Sequence, residues 1–148
     1  MTLPPPYLLH PAAVHYPIAL LTVGLAGAAL DAASRRRRGW MADAVSWLLW
    51  LGTGSAWVAA GLGYWAKKTA PHVPPAWETL ADHQALACWT VGLFTCLSAW
   101  RLFFSQRWPK WFLLGWFVAA GALLAVGFEG GELVFTHNMG TDASAEGR

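Results

Sequence analysis

Four long apolar stretches, roughly residues 12–33, 45–66, 85–104 and 111–135, constrain this chain more than any other feature. Each is about the 17 to 25 residues that a helix needs to cross a bilayer. In hydrocarbon the backbone must satisfy its own hydrogen bonds, and a helix does so within one segment. With 148 residues, 56% hydrophobic, 12% charged and 11 of them Trp, the chain is too apolar for a soluble domain of its length. The connections are short, so successive spans must run antiparallel. The expected fold class is all-α: an integral-membrane up-down four-helix bundle, one domain over residues 1–140, with a polar tail at 141–148. No phosphate loop, nucleophile triad or soluble catalytic domain is visible, which points away from turnover by this chain alone.

Charge orients the spans. Seven of the ten Lys and Arg fall in the two loops on one side: Arg35, Arg36, Arg37 and Arg38 after the first span, then Arg101, Arg107 and Lys110 after the third. The positive-inside bias makes that side cytoplasmic and puts both termini and the middle loop outside. The first span has no basic segment before it and no small-residue cleavage site after it, so it is expected to be retained rather than removed as a signal. The arginine run reads as this topology signal; membrane lipid, and no nucleic acid, is the expected partner.

The histidines gather on the outer side. His10 and His15 open the first span, His72 lies in the proline-rich middle loop, His83 opens the third span and His137 closes the fourth. Six of the eight acids, including Asp82, Glu129 and Glu132, share that side. Ionisable groups within spans are costly and mark function unless they reach water. An internal echo sharpens the point: "HYPIALLTVGL" from His15 aligns without gaps on "HQALACWTVGL" from His83, with His, Ala, Thr, Val, Gly and Leu identical. The second hairpin reads as a diverged copy of the first, with His15 and His83 at equal depth.

In an up-down bundle the first and third helices are diagonal, about 11–14 Å apart for an interaxial spacing of 8–10 Å. That is too wide for two histidines to touch and suits two imidazoles gripping one metal, as axial ligands hold a haem. Ala19 and Ala87 lie one turn below the two histidines and Thr22 and Thr90 two turns below, leaving room for a flat macrocycle. The same small residues also serve close helix packing.

The opening "HPAAVHYPIAL", the lone outer histidine of the third span and the ending "GWFVAAGALLAVGFEGGELVFTHNMG" resemble the bacterial membrane family known as domain of unknown function 2231, over nearly the whole chain. The resemblance implies a bundle similar to small di-haem-type cytochromes b, an inner-membrane location, electron transfer, and a Rieske or c-type cytochrome-like partner. Its motif histidines fall on His10, His15, His83 and His137. Asn138 departs from the pattern, standing where a glycine commonly follows the last histidine.

Three readings are open. In the first, one haem b lies between helices one and three on His15 and His83, with His10 and His137 close enough to allow a second; His10 precedes Pro11, which biases it toward an extended conformation and a capping or orienting role. In the second, Glu129 and Glu132 join the histidines in a non-haem iron, zinc or copper site, or a quinone is bound. In the third, the chain is a cofactor-free membrane anchor or assembly subunit whose histidines cap helices; a homo-oligomer is the alternative to a redox partner. Asp82 is expected to cap the third helix. Cys88 and Cys96 lack C-x-x-C spacing and are expected to pack in the core. Trp40, Trp77, Trp108 and Trp111 are expected at the interfaces, and Trp47, Trp50 and Trp57 on apolar surfaces.

Overall fold

The computed structural model describes residues 6–34, 39–70, 73–104 and 108–139. These form α1 (Pro6–Ala13), α2 (His15–Ala33), α3 (Gly39–Thr69), a 3-10 turn (Pro74–Ala76), α4 (Trp77–Phe103) and α5 (Lys110–Phe135), with no strand among the described residues. Four segments are long and apolar enough to cross a membrane: Leu8–Ala33, Gly39–Thr69, Pro74–Phe103 and Lys110–Phe135. Helix α2 packs on α3, α3 on α4, α4 on α5, and α5 returns to α2, so α2 and α4 are diagonal in a closed ring. His72, Arg35 to Arg38, Arg107 and the tail at 141–148 lie outside the described residues.

The first span is broken at Val14, between α1 and α2. Pro17 has no amide to offer the Ala13 carbonyl, and its ring crowds that carbonyl, the usual cause of such a break. The chain bridges it with Val14 N–H to His10 O at 3.1 Å and Ile18 N–H to Val14 O at 3.4 Å. Beyond the break, α1 leans on α3. His10 is therefore helical, not extended as Pro11 would bias it: a proline tolerates a preceding helical residue where tertiary packing favours it, and α1 has α3 to pack on.

Two apolar clusters fill the bundle. The larger joins Leu21, Ala28, Val45, Leu49, Phe94, Phe112, Trp116, Ala119 and Leu123. The helices meet closely there because glycines take the contact positions: a Cβ on Gly52 would lie 2.6 Å from Leu21, and one on Gly24 2.9 Å from Trp116. The smaller cluster, Ala76, Leu80 and Leu133, lies near the other end, with Met139 packed against it. Met139 is brought back by a turn in which its N–H reaches the Leu133 carbonyl at 2.9 Å. Asn138 makes that turn with φ 51°, the left-handed conformation that asparagine tolerates best after glycine.

A polar clasp closes the end where α2 and α4 finish. The Trp108 indole N–H donates to Asp31 Oδ2 at 2.9 Å, the Arg101 guanidinium stands 3.9 Å over the Trp108 ring, and Arg101 Nε–H donates to Ser46 Oγ at 2.9 Å. Trp108 is thus 9% exposed and part of the core, not an interfacial residue, because its indole has the half-buried Asp31 carboxylate to bond. Cys88 and Cys96 depart from expectation the other way: both are exposed on α4, on the side facing away from the bundle. Asp82 does not cap α4, since the helix starts at Trp77, one turn earlier, directly off the 3-10 turn.

Candidate functional site at the histidine end

Between the two apolar clusters lies a layer of imidazoles and small residues. His83 follows Leu80 by one turn on the inward face of α4, and the same face continues through Thr90, Val91, Phe94 and Arg101. Its Cε1 rests 3.3 Å from where a Gly130 Cβ would stand on α5. Its Nδ1 is buried and has no hydrogen-bond partner, although the Val126 carbonyl interacts with the ring.

The residue facing His83 is His10, not His15. The two rings stand edge to face, with centroids 6.4 Å apart and planes at 81°. His10 Nδ1 lies 2.9 Å from the Ala59 carbonyl of α3. A carbonyl only accepts, so Nδ1 carries the proton and Nε2 keeps its lone pair. The ring fills a notch at Gly63, where a Cβ would come within 2.9 Å of His10 Cε1.

His15 is exposed and donates from Nδ1 to the Pro11 carbonyl of α1 at 2.8 Å. The expectation that His15 and His83 face each other across the bundle is corrected by helical phase. The inward positions of α2 are Pro17, Leu21, Gly24 and Ala28. His15 is two residues from Pro17, about 200° around the axis of α2, and so points away from the bundle; His10 lies on α1, across the break at Val14, and is carried onto α3. The echo misleads for the same reason. Its register puts Leu21, 0% exposed, on Trp89, 75% exposed, and lays buried Gly24 on exposed Gly92. The two copies share letters but present different faces to the bundle.

The remaining candidates disperse. Thr90 is buried and bonds the Leu86 carbonyl at 2.8 Å, whereas Thr22 is exposed in an apolar groove with Leu25, Ala26, Ala29 and Phe117. His137, in the turn after α5, lies with Nε2 3.5 Å from Thr79 Oγ1. Glu129 and Glu132 are half-buried; Glu129 Oε2 is enclosed without a hydrogen-bond partner, with Asp82 and Glu132 in electrostatic range. Among the described residues no three His, Cys, Asp or Glu side chains converge as a metal-holding group. Sequence reasoning missed Ala59, Gly63 and Gly130 as the walls of the layer. Their signal was available: Gly63 continues the inward series Gly52, Ala56 and Ala59 of α3 at spacings of three and four.

Comparison with known proteins finds one family. A family model described as "Predicted membrane protein (DUF2231)" matches residues 6–143. No curated protein and no solved structure matches the chain.

Proposed function

The chain belongs to the membrane-protein family DUF2231, and from that premise we propose that it is an electron-transfer protein of the bacterial inner membrane, holding a haem b through His10 and His83. One observation carries the reading: the paired imidazoles of the histidine layer, 6.4 Å between centroids, with His10 Nδ1 committed to the Ala59 carbonyl. A haem would draw one ring nitrogen from each histidine, Nε2 from His10, which the Ala59 bond leaves with its lone pair, and one from His83 facing it on α4. Metal-ligating histidines commonly donate the other ring N–H to a carbonyl, which sets the tautomer and the ring orientation. His10 has that bond already.

The donor count favours a porphyrin over a bare ion. A structural or catalytic zinc site takes three or four protein ligands, and no such group converges among the described residues. A porphyrin brings its own four nitrogens and asks the protein for two. When bound, it supplies reversible one-electron chemistry at iron, at a potential set by its axial ligands and their hydrogen bonds. The chain's own part is to hold the two rings: Ala59 orients His10, Gly63 and Gly130 make room for the imidazoles, and the apolar clusters above and below exclude water. The site lies at the end away from the arginine-bearing loops; with those loops cytoplasmic, it faces a periplasmic or membrane redox partner, and both termini lie outside.

The test is the absorption spectrum of detergent-purified protein from haem-replete cells, oxidised and then dithionite-reduced, for the wild type and three single variants. The expected result is a reduced b-type band that His10→Ala and His83→Ala abolish and His15→Ala leaves in place. Loss on His15→Ala with retention on His10→Ala would restore the pairing read from the sequence echo. A colourless wild type would overturn haem binding altogether.

A further inference from the structure

At the opposite end of the bundle a second feature stands apart from the histidines. Between the start of α3 and the end of α4 opens a cleft of about 390 Å³, lined by Asp43, Ser46, Trp47, Trp50, Arg101 and Leu102. Its floor is Arg101, in the last turn of α4 and 5% exposed. A guanidinium so nearly buried within a spanning helix is costly, and such residues mark ligand sites or ion pairs. Arg101 is held firmly in place by Ser46 on one side and the Trp108 ring on the other.

The walls grade from polar to apolar. Asp43, one turn into α3 and exposed, stands at the mouth within electrostatic range of Arg101. One to two turns deeper along α3 come Trp47 and Trp50, their rings edge to face at 5.5 Å. Trp47 and Leu102 are 59% and 62% exposed, so the apolar side of the cleft opens outward onto the membrane rather than into the protein. A ligand that fits has a charged head near the interface and an apolar body along the helices. The charges set the head: Asp31 as well as Asp43 lies in range of Arg101. The cleft is therefore not a cationic hole, and a purely anionic head would meet the Asp43 carboxylate with like charge.

We propose that this cleft seats the headgroup of a zwitterionic phospholipid of the phosphatidylethanolamine kind, with the phosphate against Arg101, the ammonium against Asp43 and the glycerol against Trp47. Charge complementarity carries the choice: a guanidinium flanked by the carboxylates of Asp43 and Asp31 suits a head that carries a cation with its phosphate better than one that is anionic alone. The cleft lies within the usual range of roughly 300–1,000 Å³ for small-ligand sites. The inference is independent of the haem reading.

Native mass spectrometry of the full-length protein in detergent tests it, with phosphatidylethanolamine, phosphatidylglycerol and inorganic phosphate titrated separately. The expected result is one tightly retained phosphatidylethanolamine, with phosphatidylglycerol and inorganic phosphate bound at least about tenfold more weakly. Asp43→Asn, at an exposed position and read alongside circular dichroism to confirm unchanged helicity, should bring phosphatidylethanolamine down to the phosphatidylglycerol level. Arg101→Gln should weaken both lipids, and the Asp43 variant keeps the test decisive if Arg101→Gln fails to fold. Equal retention of the two lipids, no effect of Asp43→Asn, or binding of inorganic phosphate as tight as that of the lipid would each overturn the proposal.

Discussion

At the residue scale, a single missing methyl group sets the histidine layer. A Cβ on Gly63 would fall 2.9 Å from His10 Cε1, whereas at Gly61, two residues earlier on the same helix, it would meet nothing within 4 Å. Gly63→Ala should push the His10 ring off the Ala59 carbonyl and lower haem retention several-fold; Gly61→Ala should leave it unchanged, and the ratio of Soret to protein absorbance reads both. His83 was legible in the sequence because it lies on the inward face of its helix, one turn from Leu80. His10 is less legible, because the bias of a residue before proline argues against the helix that α1 forms by packing on α3. The inward phase of α2 turns His15 outward, while the position of His10 depends on the bend at Val14. Asp82 failed as a cap because the Pro-Pro-Ala turn starts the helix earlier than the apolar pattern does.

Elements explain why the layer exists where it does. The break at Val14 lets α1 leave the line of α2 and lay His10 on α3. Pro17→Ala supplies the amide that the Ala13 carbonyl lacks and should straighten the span. Nitrogen-15 NMR of labelled histidine should then show His10 losing its Nδ1-protonated tautomer, while a spectrum identical to wild type would mean that packing on α3 alone holds the bend. The α2–α3 contact makes a complementary test. Gly52→Ala drives a methyl to 2.6 Å from Leu21 and should destabilise the bundle by about 1–3 kcal/mol. Gly54→Ala meets nothing within 4 Å and should be neutral or slightly stabilising, since alanine favours helix over glycine. Thermal unfolding in detergent separates the pair. The existence of four spans was plain from length and hydropathy, and two of their starts were not: α3 runs from Gly39 to Thr69 instead of 45–66 and α4 begins at Trp77 instead of 85, because polar ends of a spanning helix cost nothing once they reach the headgroups.

Over the whole molecule, α2 and α3 form one hairpin, α4 and α5 another, and α2–α5 and α3–α4 contacts close the ring. The up-down arrangement followed from short connections alone. The polar clasp did not, since Asp31, Ser46, Arg101 and Trp108 come from four places in the chain and no local pattern links them. Removing the Trp108 acceptor with Asp31→Ala leaves a buried indole N–H unpaired and should cost about 1–3 kcal/mol, read as a lower melting temperature in detergent. The clasp also puts a delay into synthesis. Asp31 and Trp108 are 77 residues apart, which at about 5–20 residues per second is roughly 4 to 15 s of translation. Through that interval the nascent first hairpin sits in the bilayer with a carboxylate waiting for a donor that has yet to leave the ribosome. A chain stalled before Trp108 therefore holds its first hairpin without the indole that closes the clasp.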